Sequence, residues 1–200
     1  MKAFLRFWSY LANPLFIPSL ISLWYFLFVS YTDGAVVELK MYLILILTAV
    51  IPMLIFTILK LLGVVQSIHL PEIKQRITPL GAYAALLLIL IRGGFNDGLH
   101  IPLYYFFIGV FIASIVAFTL ALLKYKLSLH MMAMGGAIGF ALMLHASIQT
   151  PGMVAIAILF ILAGLTATSR LSMNAHKGHE LLFGFSMGLV AQLMSGIYFL

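Results

Sequence analysis

The sequence predicts an all-α polytopic membrane bundle of six or seven transmembrane helices, and three observations carry that expectation. Hydrophobic residues make up 64% of the 200-residue chain and charged residues only 8%. The mean hydropathy is +1.17. Several apolar runs approach or exceed the ~20 residues a helix needs to cross a bilayer. These runs leave almost no sequence for a soluble unit, so the chain reads as one transmembrane domain, 1–200, with an interfacial segment at 1–13 and a core part from about 41 to 200. The chain contains no cysteine, which excludes disulfides and thiolate chemistry. The net charge of +6 comes without a basic stripe interleaved with aromatics, so nucleic acid is not an expected partner and membrane lipids are.

Taken in order, residues 1–13 (MKAFLRFWSYLAN) mix Lys2 and Arg6 with Phe4, Phe7, Trp8 and Tyr10, as an interfacial helix against headgroups does. No small-residue cleavage site closes the long apolar run that follows, so the segment reads as mature sequence. A first span runs from about Pro14 to Tyr31 and ends in the turn Thr32-Asp33-Gly34. The second, about Met41 to Leu62, contains Pro52, which kinks a membrane helix more often than it breaks it. Gly63 to Pro79 is a polar loop with His69, Glu72, Lys74 and Arg76. The third span, Leu80 to Ile91, is short for a crossing, so it begins earlier, tilts little or is re-entrant.

Phe95 to Pro102 is rich in turn residues, and a fourth span follows from about Leu103 to Leu123. The basic corner from Lys124 to His130 leads into the fifth, about Met131 to Ile148, where Gly135, Gly136 and Gly139 permit close helix approach. Gln149-Thr150-Pro151-Gly152 turns the chain; the sixth span runs to about Thr168 and the seventh from about Leu181 to Leu200. Alternate crossings place Lys74, Arg76, Lys124, Lys126, His130, Arg170, His176 and Glu180 on one face. The other face holds Asp33, Glu38, Lys40, Arg92, Asp97 and His100.

Chemistry concentrates in Ser169 to Gly184, SRLSMNAHKGHELLFG, where Arg170, His176, Lys177, His179 and Glu180 sit together between apolar runs. On a helix continuing from His176, the residues His176, Glu180 and Gly184 fall on one stripe. A carboxylate one turn from an imidazole fixes its tautomer and raises the basicity of the other nitrogen. Gly184 leaves room for a neighbouring helix, and Arg170 offers a planar fork suited to phosphate oxygens. The pattern describes an anion site with a nucleophile in it. His176-x-x-His179-Glu180 matches neither His-Glu-x-x-His nor His-x-x-Glu-His, so no metal is expected. His69, His100 and His145 read as solvated interfacial residues.

The pattern Ser-Arg, five residues, His, three residues, acid, three residues, Gly resembles the third signature of the type 2 phosphatidic acid phosphatase superfamily. Ser169, Arg170, His176 and Gly184 match it, and Glu180 stands where the family has Asp. Leu127-Ser128-Leu129-His130 resembles the second signature, Pro-Ser-Gly-His, without its Pro and Gly. The first signature, Lys, six residues, Arg-Pro, has no match at that spacing; Lys74 and Arg76 are candidates to stand in for it. The resemblance implies an integral membrane lipid phosphatase in which His176 attacks phosphorus and forms a phosphohistidine, held by Glu180. His130 would protonate the leaving oxygen, while Arg170, Ser128, Lys124, Lys126, Lys74 and Arg76 would bind phosphate, with no cofactor. Phosphatidate, phosphatidylglycerol phosphate and polyprenyl diphosphates are all candidate substrates. Loss of half the second signature favours the rival expectation, a non-catalytic lipid-binding or transport relative. A bacterial inner membrane is the expected location. The positive-inside rule would turn the site toward the cytoplasm, whereas the resemblance implies the outer face.

Overall fold

In the computed structural model the described residues are 2–30, 34–65, 73–95, 98–148 and 152–199. His69, Glu72, Asp33 and Asp97, and the turn residues 149–151, lie outside them. Among the described residues the chain forms nine α-helices and no strand. They are α1 (Lys2–Leu11), α2 (Ile17–Phe28), α3 (Gly34–Leu45), α4 (Ile51–Leu61), α5 (Ile77–Gly94), α6 (Ile101–Leu122), α7 (Leu129–Ile148), α8 (Met153–Ser172) and α9 (Gly178–Gly196). Five continuous helices are long and apolar enough to cross a membrane: Gly34–Leu61, Ile73–Gly94, Ile101–Leu122, Leu129–Ser147 and Met153–Ser172. The protein is an integral membrane helix bundle.

Pro52 does not end its helix, which runs on from Gly34 to Leu61. A proline at 52 cannot donate to the carbonyl four residues earlier, Thr48 O. The chain answers with a π turn over Ile46–Val50 that joins α3 to α4, the usual device for absorbing a lost helix bond. This span begins at Gly34, earlier than Met41, and the third begins at Ile73 in place of Leu80. The short third run is therefore a 22-residue helix. Pro79 lies in the first turn of α5, where its missing N–H leaves no bond unmade. The first span is shorter than expected, a 12-residue helix from Ile17 to Phe28.

The core sits where α6 and α7 meet α2 and α5, around fully buried Phe106, Phe107, Phe140, Leu87, Leu90, Leu103 and Leu144. Helices α7 and α9 run parallel. Gly184 faces the backbone of Ser128, Gly188 faces Met132 and Gly136, and Gly196 faces Met143. A side chain at Gly188 would collide with Met132 O, so glycine alone permits this backbone contact. One consequence is positional: the N-termini of α7 and α9 open on the same end of the bundle.

At the opposite end Lys40 is buried, 6% exposed. Its Nζ donates to Gly94 O, a last-turn carbonyl of α5, at 3.0 Å and stands 5.0 Å from the centroid of the Phe95 ring. A cation at a helix C-terminus satisfies an orphan carbonyl and the dipole together. Replacing Lys40 by Met keeps the stem and strands that carbonyl, which is expected to cost about 1–3 kcal/mol. A lowered melting temperature in detergent would register it; an unchanged one would show that the bond contributes nothing.

Candidate functional site

The link from Arg170 to His176 is built by the end of α8. Ala175 N–H donates to Arg170 O at 3.1 Å and Asn174 N–H to Leu171 O at 3.0 Å, with Asn174 at φ +51°. This is a Schellman motif, and asparagine tolerates the left-handed position it needs. Arg170 is thereby in the last turn of α8, not in a loop. His176 follows in the turn, with Lys177 as the N-cap of α9.

Glu180 reaches His176 by a different route from the helical stripe read from the sequence, because α9 starts only at Gly178. From the third position of α9 its carboxylate bends back over the helix start. Oε2 accepts from His176 Nδ1 at 2.7 Å and from the Lys177 backbone N–H at 3.3 Å. That backward reach is the carboxylate half of a capping box. Lys126 Nζ lies 4.0 Å from the same oxygen and donates to Ala175 O at 3.0 Å. Ser128 N–H donates to Glu180 O at 3.1 Å, which ties the start of α7 to α9.

With Nδ1 committed to Glu180, His176 is left with Nε2, which makes no hydrogen bond among the described residues. The ring is 7% exposed. Burial pushes its pKa down to about 4; the bond to Glu180 opposes the shift, and the charges of Arg76, Arg170 and Lys126 add to it. The folded state thus binds its proton less readily than the unfolded chain, whose imidazole titrates near ~6.5. Stability tied to this group is fully present above that value and is lost as pH falls toward about 4. The thermal stability of wild type is expected to fall from pH 7 to 4.5, and His176→Gln to flatten part of that slope. Equal slopes would rule the assignment out.

Arg76, Arg170, His130 and His176 line one cavity of about 440 Å³, within the range of small-molecule sites. Arg76 and Arg170 are only 6% and 3% exposed. Arg76 Nη1 donates to Leu127 O at 3.1 Å. Arg170 Nη1 donates to Ser9 Oγ at 2.7 Å, while its Nε is buried without a partner. Among the described residues the Arg170 guanidinium meets a hydroxyl and no carboxylate, an unneutralised buried charge that is costly unless an anion enters. The ends of α7 and α9 add positive dipole to the same spot. The assembly can hold a tetrahedral anion against a neutral, oriented imidazole.

No family model, curated protein or solved structure matches this chain. The geometry alone therefore sorts the candidate residues. It brings together His176, Glu180, Arg170, Arg76, Lys126 and His130. Lys74 is exposed on the short turn Ile73–Arg76 and does not line the cavity. Lys124 is exposed too: Tyr125 N–H donates to Leu120 O at 2.8 Å and Lys124 N–H to Ala121 O at 3.1 Å, another Schellman ending with Lys124 at φ +61°. Ser128 is fully buried, and its Oγ accepts from Met131 N–H at 3.4 Å, capping α7.

Sequence reasoning missed Ser9. Helix α1 docks on α8, with Trp8 Nε1–H donating to Thr166 Oγ1 at 3.0 Å and Leu5 O accepting from Ser169 Oγ at 2.6 Å. Ser9 meets Arg170 through its hydroxyl, and its carbonyl lies 3.2 Å from His130 Nε2. The available signal was the stripe Leu5, Ser9, Ala12 at helical spacing, all buried here while Phe4 and Phe7 face outward.

Proposed function

We propose that this protein is an integral membrane phosphatase acting on the phosphate monoester or pyrophosphate of a membrane lipid. The observation that carries the reading is the 2.7 Å His176–Glu180 pair set beside Arg170 in a cavity whose remaining wall is largely apolar. His176 Nε2 attacks phosphorus and breaks its bond to the lipid oxygen, which leaves with a proton from His130, while the equatorial oxygens lie against Arg170 and Arg76; water then opens the phosphohistidine and releases phosphate. Lys126 holds the carboxylate that orients the ring. The type 2 phosphatidic acid phosphatase resemblance of Ser169, Arg170, His176, Gly184, Ser128 and His130 supports the same reading. Adding α2 and α9 to the five long helices gives the seven-span arrangement, six if α2 stays within one leaflet, in what we take to be a bacterial inner membrane.

One observation favours a second reading. His130 Nε2 is directed at Ser9 O and Ser9 Oγ occupies Arg170, so in this arrangement α1 competes with substrate for both groups. A non-catalytic lipid-phosphate-binding or transport protein would tolerate that. The experiment is phosphate release from a panel of lipid phosphates by the purified protein under excess chelator. Turnover that survives chelation supports the phosphatase; saturable binding without turnover supports the second reading.

A further inference from the structure

The fold separates the cations that build the cavity from those that do not. Arg76 and Arg170 are buried in its wall, and Lys126 is committed to Glu180 and to Ala175 O. An anion site needs such groups whichever side of the membrane it faces, so they carry no information about orientation. Arg6, Lys60, Lys74, Lys124 and Lys177 are different. All five are exposed and none lines the cavity.

Helix order places these five together. Lys60 is in the last turn of α4, Lys74 in the turn before α5, Lys124 between α6 and α7, and Lys177 caps the start of α9. Those helix ends share the end of the bundle that holds Arg76, Arg170 and His176. Arg6 belongs there too, because α1 is tied to Ser169 and Arg170 in the last turns of α8. Its place does not depend on whether α2 crosses. Among the described residues the opposite end carries Lys40, buried on Gly94 O, and Arg92, exposed in the last turn of α5. Exposed cations outside the cavity thus stand five to one. Lysine and arginine in short segments flanking membrane helices mark the cytoplasmic side, and carboxylates weigh little in that bias.

We infer that the charged end of the cavity faces the cytoplasm, with its rim of exposed cations against the anionic headgroups of the cytoplasmic leaflet. This is the reverse of the outer face implied by the resemblance of Ser169, Arg170 and His176. The consequence for substrate rests on the lipid-phosphate reading of the cavity. The phosphate cleaved is one carried in the cytoplasmic leaflet, supplied by a transfer reaction that builds the lipid phosphate at that face, and orthophosphate is released on the same side.

The chain has no cysteine, so a single introduced thiol reports on a single position. The test is labelling of the full chain by a membrane-impermeant maleimide in bacterial spheroplasts, before and after lysis. Gly93→Cys, exposed at the opposite end with nothing within 4 Å, should label in intact spheroplasts. Tyr125→Cys, at a residue 67% exposed beside Lys124, should label only after lysis. Gly178→Cys, also exposed with nothing within 4 Å, gives the same reading if the Tyr125 variant does not insert. Labelling at position 125 or 178 in intact spheroplasts overturns the inference, whether alone or together with labelling at position 93. The label reads no turnover. A chain that labels as expected and releases no phosphate loses the phosphatase reading and keeps the orientation; one that releases phosphate but labels from outside at position 125 does the reverse.

Discussion

Alanine at position 176 is expected to reduce phosphate release by at least about a thousandfold while the protein stays folded. The reason for the first half is that Nε2 of His176 is the oriented, unprotonated nitrogen in the cavity that the buried arginines line. The second half follows from Glu180: without the imidazole its carboxylate keeps the Lys177 N–H at 3.3 Å and Lys126 at 4.0 Å, so no buried charge is stranded. Glu180→Gln retains an acceptor for Nδ1 and loses the charge, and a drop of about a hundredfold is expected. The measurement is chelator-resistant phosphate release beside a melting curve for each variant. Activity in His176→Ala near that of wild type would sink the nucleophile assignment.

The largest effect on stability is expected at Gly188. Its position against Met132 O and Gly136 leaves no room for a methyl group, and the obstacle is backbone, which cannot rotate away. Gly188→Ala forces α7 and α9 apart at an expected cost of about 3 kcal/mol, the upper part of the overpacking range. The displacement also carries Ser128 and His130 away from Glu180 and His176, so activity should fall with stability. Gly164 on the exposed side of α8 has nothing within 4 Å. Gly164→Ala should leave the melting temperature unchanged or raised, by up to about 1 kcal/mol of helix propensity. Similar melting temperatures for the two variants would contradict the backbone contact.

The pairing of His176 with Glu180 was legible because two geometries share one spacing. A carboxylate four residues on reaches an imidazole either along a helix or by bending back over a helix start, and the chain takes the second. Gly135, Gly136 and Gly139 of α7 and Gly184 of α9 were legible as close-approach positions, although the sequence does not say which helix each one meets; Gly188 and Gly196, lying inside an apolar run, were not. The polar loop before Pro79 concealed the true start of α5, since a proline in a first turn reads the same as one ending a loop. Lys74 and Arg76 differ by two residues, and only the fold separates the exposed one from the buried one.

Helix α1 holds the bundle in part through atoms that every residue possesses. Leu5 O meets Ser169 and Ser9 O meets His130, so two of its anchoring bonds are indifferent to side-chain identity. Drift in the sequence of Lys2–Leu11 can therefore erase most of its recognisable pattern without loosening its grip on α8. An alanine scan across it would register the buried side chain of Leu5, Trp8 and the hydroxyl of Ser9, and pass over outward-facing Phe4 and Phe7. What selection can act on in that segment is its helicity and its register, more than the chemistry of its individual residues.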